Sequence, residues 1–369
     1  MAKGMKILVI VPDAAQYGGT STFLERLLDI HARQGVVTTL LVPEGRSHPS
    51  LVSLAQKHGA ELLRSPNRAT PDTAPFLTPI LDLLFSWRAV ASRRPDLVVV
   101  STGDPGRMSV ALYFPVPVLY ILHSTPEYGF RLLPRWYMGL GARLGNRVMT
   151  VSQAAAEEVC QTMGVPRSRI SVVHNSCRSP ERLQGEPGPL VILTAGHLVA
   201  YKDPWTWLEV ARTVLQGCPS ATFVWLGDGE LLQELRARAR ELCLEDRILF
   251  PGYHADPTAW FVRARIYLQP SLRESHGIAV LEAMSHGLPC VVAAAGGLPE
   301  SVLNNETGYV CAPRDVAGFT DRILALLRDT ALRSRLGTAG RVRAEEIFSE
   351  TAQERKILAL YDRLTGKLG

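Results

Sequence analysis

The chain opens on a continuous apolar run over residues 6–11, long enough for one strand buried on both faces. A loop containing Gly18 and Gly19 follows, then apolar positions at helical spacing over 22–34, Gly35 as a stop signal, and a β-branched run over 36–42. That order is a β-loop-α-β unit. Further apolar runs at 97–100, 116–122 and 147–151 alternate with helical stretches, which predicts a parallel sheet covered on both faces. Around residues 178–189 the periodicity gives way to Pro and Gly, the composition of a linker. The alternation then restarts, with strands predicted over 190–195, 222–226, 247–250, 265–268 and 289–293 and helices over 205–216 and 231–242. Residues 350–369 again have helical periodicity. The fold class is α/β: two Rossmann-like, doubly wound domains, 1–180 and 181–349, followed by a final helix. Two such domains side by side form a cleft at the carboxyl ends of their sheets, where open α/β folds bind ligands.

Length agrees with this division, since 369 residues exceed the roughly 250 to 300 that one core supports. Hydrophobic residues make up 46% and charged residues 20%, which excludes a disordered chain. The six cysteines are scattered, with neither a C-x-x-C pair nor a Cys/His spacing that suits zinc, and they read as reduced thiols of a cytoplasmic protein. The run at 6–11 is too short for a signal peptide, and no stretch reaches the roughly 18 apolar residues of a membrane-spanning helix. Charge is uneven: residues 1–185 hold 20 Lys/Arg against 13 Asp/Glu, and 186–369 hold 20 against 22, giving +7 and −2. The surplus suits an anionic lipid surface or acceptor as well as it suits plain solvated charge. Without a recognition motif, nucleic acid is not an expected partner.

The segment from Pro270 to Pro289 is the richest in chemistry. Gly277 can begin a helix over 279–286, Gly287 supplies its left-handed stop, and Pro289 prevents continuation. Glu282 interrupts this apolar helix beside Val280, Leu281, Ala283 and Met284, and a carboxylate buried there needs hydrogen-bonding partners. Two neighbouring hydroxyls, as on a ribose, can donate to its two oxygens. The exposed first turn of the same helix offers backbone N–H groups to a diphosphate. Taken alone, Glu282 reads first as the partner of a core arginine, and Glu274 and Lys202 as solvated residues.

The segment resembles the E-x7-E signature of family 4 of the retaining glycosyltransferases, which have the GT-B fold of two Rossmann-like domains facing across a cleft. The resemblance extends over nearly the whole chain: Gly18-Gly19, His123 in Leu-His-Ser-Thr-Pro, Val151-Ser152, Asn175, Gly196 to Lys202, Trp225 to Gly229, Pro251-Gly252, the Glu274/Glu282 pair and Gly296 to Glu300. It implies a nucleoside-diphosphate sugar as co-substrate, with neither cofactor nor metal. Glu282 would bind the donor ribose, while Glu274 and the backbone of His276, Gly277 and Ile278 would lie at the sugar and diphosphate. Lys202 would bind phosphate and stabilise the departing charge. Gly18 and Gly19 would let backbone approach the diphosphate, His123 would lie near the transferred sugar, and Glu300 would close the nucleotide pocket. The final helix would return to the first domain, where domain closure could join the two halves of the site.

Two positions depart from the family. His197 stands where many members carry arginine, which replaces a guanidinium with its fixed positive charge by an imidazole. His276 stands where an aromatic residue is common, and implies a more polar sugar pocket. The implied reaction is metal-independent, retaining transfer of a hexose-type sugar, from a UDP-sugar first and GDP-mannose second, to a glycan, lipid-linked or small-molecule acceptor. Phe130, Arg131, Leu132, Leu133, Arg135, Trp136, Tyr137, Met138 and Arg143 form a basic, aromatic mixture that suits peripheral contact with an anionic membrane on its inner face, or else a helix packed on the sheet. An isomerase resembling UDP-N-acetylglucosamine 2-epimerase and a catalytically silent nucleotide-sugar-binding protein are the alternatives.

Overall fold

The computed structural model describes residues 4–11, 19–43, 50–65, 77–102, 114–124, 141–142, 144–180 and 189–366. Gly18 and the basic, aromatic residues 130–138 and Arg143 lie outside them. The chain divides into two compact units, Met1–His174 with Gln353–Gly369, and Asn175–Ala352.

In the first unit, β1 (Lys6–Ile10), β2 (Val37–Pro43), β3 (Glu61–Ser65), β4 (Leu97–Thr102), β5 (Val118–Leu122), β6 (Arg147–Thr150) and β7 (Ile170–Val172) form a sheet in the order β3-β2-β1-β4-β5-β6-β7. Its described strand pairs are all parallel. The sheet winds one way from β1 and the other way from β4, which puts the topological switch between these two strands. Residues of β4 and β5 are buried throughout, as their unbroken apolar runs require.

The helix Glu350–Thr365 completes this unit: its Ile357, Leu360 and Tyr361 belong to the same core as Phe23 and Leu27 of the helix Gly19–Arg33. His31 lies between them, with Nε2 3.0 Å from the Tyr361 hydroxyl and Nδ1 2.9 Å from Oγ1 of Thr38. Burial pushes the His31 imidazole down to about 3, so the ring is neutral at ordinary pH. Glu354 accepts from Arg33 and from Gln34, each at 2.7 Å.

In the second unit, β8 (Leu190–Ala195), β9 (Ala221–Leu226), β10 (Ile248–Gly252), β11 (Ala264–Gln269), β12 (Cys290–Ala293) and β13 (Gly308–Cys311) form a parallel sheet in the order β10-β9-β8-β11-β12-β13. The switch falls between β8 and β11. Trp207, from the helix Pro204–Gly217, packs edge-on against Trp225 and Phe223 at ring separations of 5.3 and 5.7 Å. Such edge-to-face pairs contribute about 0.5 to 1.5 kcal/mol beyond area burial. The indole of Trp207 donates to Thr194 Oγ1 at 2.8 Å, which satisfies its one polar atom.

The division falls between His174 and Asn175 and not at residue 180. The Cys177 amide donates to the Phe348 carbonyl at 2.9 Å, and Cys177 pairs with Ser349 as an isolated parallel bridge. Those contacts bind the segment to the second unit. All six cysteines are free, and no described helix is long and apolar enough to cross a membrane.

Candidate active site

Lys202 and Glu274 are brought together by the switch in the second sheet. β8 and β11 are neighbours, so the loops leaving their carboxyl ends lie side by side. The β8 loop passes through the 3-10 turn Ala200–Lys202, and its Tyr201 carbonyl accepts the Leu272 amide at 2.9 Å and the Arg273 amide at 3.4 Å. This backbone clamp places the Lys202 ammonium in an ion pair with the Glu274 carboxylate, both side chains largely shielded from water. Asp203, next in the chain, adopts φ 53°, a left-handed backbone unusual outside glycine. It also caps the following helix through Oδ1, which accepts from the Thr206 amide at 3.3 Å. The strained turn and the cap together fix the direction in which Lys202 leaves the backbone.

Beneath the pair runs a buried polar chain that the sequence reading missed. The Tyr267 hydroxyl donates to Gln269 Oε1 at 2.8 Å and accepts from the Ala195 amide at 3.2 Å, while Gln269 Nε2 donates to Ser271 Oγ at 2.7 Å. Burial holds the Tyr267 phenol well above its ordinary range, so it remains a neutral donor. The Trp225 indole donates to the Gly196 carbonyl at 2.9 Å and anchors the start of the Lys202 loop. Gln269 and Ser271 carry the one available signal: polar residues in or just after a strand buried on both faces require partners.

After Glu274 the chain turns through Gly277 into the helix Ile278–Ser285. Gly277 has φ 80°, and a Cβ there would lie 2.8 Å from Leu298 Cδ2, so both backbone and space select glycine. Having no side chain, Gly277 provides no side-chain cap; its carbonyl accepts the Val280 amide at 3.0 Å, which leaves the Ile278 and Ala279 amides of the first turn to face an anion. Glu282 is half-buried, with Val280, Leu281, Ala283 and Met284 fully buried around it. The loop before Glu300 approaches the same turn: the Gly297 amide donates to the Glu274 carbonyl at 3.0 Å, and a Cβ on Gly296 would overlap that carbonyl oxygen. Lys202, Glu274, Gly277, Ile278, Glu282 and Glu300 therefore belong to one unit and surround the carboxyl ends of adjacent strands. His197 is exposed on the β8 loop.

His276 requires a correction. Its side chain is 1% exposed and packs edge-on against Phe348 at 5.4 Å, with Nε2 3.4 Å from Ser301 Oγ. The ring fills the interior of the second unit, so it does not make a sugar pocket more polar; its backbone alone lies along the turn.

Gly19 and His123 belong to the first unit. Gly19 begins the helix Gly19–Arg33 and is exposed. His123 follows β5, with Nε2 2.9 Å from Ser101 Oγ of β4 and the Phe23 ring 4.7 Å from its own. Desolvation pushes its imidazole down to about 3, so it offers a neutral hydrogen-bonding ring and not a cation.

Known proteins place this architecture. Residues 17–177 match the family described as Glycosyltransferase Family 4, and residues 178–343 match Glycosyl transferases group 1. The chain belongs to the group 1, family 4 glycosyltransferases, a family of transferase enzymes, and its fold is GT-B. The glycogen synthase of Mycobacterium tuberculosis is 29% identical over 276 residues, 70% of this chain and 66% of that protein, so the match spans just under two thirds of the relative. The UDP-Gal:alpha-D-GlcNAc-diphosphoundecaprenol alpha-1,3-galactosyltransferase of Escherichia coli is 26% identical over 274 residues, 68% of this chain and 71% of that one. HepE of Anabaena, solved in complex with UDP-glucose, superposes with a TM-score of 0.78 at 21% identity, over 98% of this chain and all of its own.

Proposed function

We propose that this protein is a retaining, metal-independent glycosyltransferase that moves a hexose-type sugar from a nucleoside-diphosphate sugar to a glycan, lipid-linked or small-molecule acceptor. The observation that carries the reading is the Lys202–Glu274 ion pair beside the uncapped helix Ile278–Ser285. A diphosphate entering there meets one ammonium and a row of amide dipoles, the positive charge that transfer needs as the leaving group gains negative charge. Lys202 then exchanges the Glu274 carboxylate for phosphate oxygen, and Glu274 turns to the hydroxyls of the sugar. Glu282 accepts hydrogen bonds from the ribose hydroxyls, which hydrogen-bond the half-buried carboxylate.

In the reaction the bond from the anomeric carbon to the β-phosphate oxygen breaks, and its electron pair stays on that oxygen. The acceptor oxygen attacks the same face, and its proton passes to the departing phosphate. No enzymic nucleophile takes part. A UDP-sugar is the first choice and GDP-mannose the second. UDP is supported by HepE, solved with UDP-glucose, and by the E. coli relative, whose name specifies a UDP-galactose donor and a diphosphoundecaprenol-linked acceptor. The same name supports a lipid-linked acceptor, reached from the inner face of a membrane by a cytoplasmic or peripheral enzyme.

The test is a panel of UDP-, GDP-, ADP- and dTDP-sugars with mixed acceptors. Free nucleoside diphosphate is expected only when acceptor is present, together with a product heavier by one sugar residue. Epimerised sugar, or nucleotide formed at the same rate without acceptor, contradicts transfer.

A further inference from the structure

The helix Leu298–Ser301 carries Glu300 and is only four residues long, so its last carbonyls have no following turn to satisfy them. One guanidinium does so: Arg343 Nη2 donates to the Glu300 carbonyl at 2.8 Å and Nε donates to the Ser301 carbonyl at 3.0 Å. Arg343 comes from the helix Thr330–Ile347, and its guanidinium carbon lies 5.4 Å from the centre of the Phe348 ring. Phe348 in turn meets the edge of His276, whose Nε2 lies 3.4 Å from Ser301 Oγ. His276, Ser301 and Phe348 are each at most 1% exposed. Desolvation lowers the Arg343 guanidinium from its ordinary range, opposed by the charge of Glu306, but a guanidinium remains charged at any physiological pH.

The short helix is thus tied at both ends to the turn that holds Glu274. Its entry is bonded to the Glu274 carbonyl through Gly297, and its exit is held by Arg343 against the His276 and Phe348 rings. Both hydrogen bonds of Arg343 end on main chain, so their effect is to set where a loop lies.

We propose that Arg343 is a positioning residue for the donor site, fixing Glu300 and the Glu274 turn relative to the first-turn amides of the helix Ile278–Ser285 and thereby setting affinity for the nucleoside diphosphate. The inference rests on the donor-site reading given above. A guanidinium presents two N–H groups at the spacing of two successive carbonyls; an ammonium reaches them only as a point charge, and a carboxamide offers one donor nitrogen. The graded loss Arg, Lys, Gln follows.

The experiment titrates UDP, GDP, ADP and dTDP into the full-length wild type, Arg343→Lys and Arg343→Gln by calorimetry, and measures donor KM and kcat at saturating acceptor. Arg343→Gln is expected to raise both the nucleotide Kd and the donor KM about tenfold with kcat within about twofold, since it weakens binding without touching the reacting atoms. Arg343→Lys is expected to fall between it and the wild type, by about threefold, and carries the test if the glutamine variant does not fold. Unchanged Kd and KM in the folded variants, or a loss confined to kcat, overturns the inference alone. A wild type that binds none of the four nucleotides overturns the donor-site reading and the inference with it.

Discussion

Glu274 holds Lys202 in the resting protein, and one carboxylate cannot neutralise the lysine and leave it free for phosphate at the same time. In the proposed donor site, the ion pair would therefore compete with the diphosphate. Glu274→Gln removes that competitor while keeping the shape of the side chain. It is expected to tighten UDP binding by about threefold to tenfold, because a charge beside the anion is gone. Turnover is expected to fall at least about tenfold, because the proposed contact to the sugar loses its negative charge. Calorimetry with UDP and steady-state rates on the same preparation measure both quantities. Weaker UDP binding in a folded Glu274→Gln protein would show that the carboxylate assists the phosphates and does not compete with them. At this scale the sequence is informative about identity and silent about partnership. Glu282 and Lys202 are readable from the apolar helix and the family motif, but nothing in the order of residues states that Lys202 meets Glu274. The fate of the His276 side chain was equally hidden, since a polar ring beside a glycine turn looks solvent-facing until Phe348 covers it.

Among the elements, the central strands and the longer helices were legible. β8 lies over the predicted residues 190–195, and the helix Pro204–Gly217 differs from 205–216 by one residue at each end. Buried parallel strands write unbroken apolar runs, and amphipathic helices write a clear period. β3, β7 and β13, three of the four sheet-edge strands, escaped, whereas the fourth, β10, overlaps the predicted run 247–250. β7 and β13 are short, at three and four residues, and β3 has only exposed and half-buried positions before its one buried residue. An edge strand needs fewer apolar side chains and leaves a weaker trace.

The contact between the first and last helices makes a prediction about pH. His31 and His123 both lie in the first unit, and burial pushes each to about 3, against about 6.5 in an unfolded chain. Their neutral forms are the folded forms, so their contribution to stability is intact above about pH 6.5 and is lost as pH falls towards about 3. Within that window each histidine steepens the decline by roughly 1.4 kcal/mol per pH unit. His31→Gln is expected to be less stable than wild type near neutrality and to lose less on acidification, by roughly one proton's worth of slope. Thermal unfolding at about pH 7.5 and about pH 5 measures this. Parallel losses in the two proteins would contradict the assignment for His31.

For the whole molecule, the chain passes from the first unit to the second at His174/Asn175 and returns within the helix Glu350–Thr365. The Pro- and Gly-rich composition around residue 180 pointed to the neighbourhood of this boundary. Its position depends on Cys177 pairing with residues 348 and 349, a contact between distant parts of the chain that local composition does not record. If Lys202 and the helix amides supply all the charge that the leaving diphosphate needs, transfer should proceed at its full rate in excess EDTA. Loss of activity in EDTA with recovery on adding manganese would assign part of that work to a metal. The central claim is that Lys202 and Glu282 handle the donor. Its most direct test is the turnover of Lys202→Ala and Glu282→Ala, each compared with wild type in donor consumption and in folding by circular dichroism. Each variant is expected to remain folded and to lose at least about tenfold in rate, a barrier increase of about 1.4 kcal/mol or more. Wild-type rates in either folded variant would contradict the account.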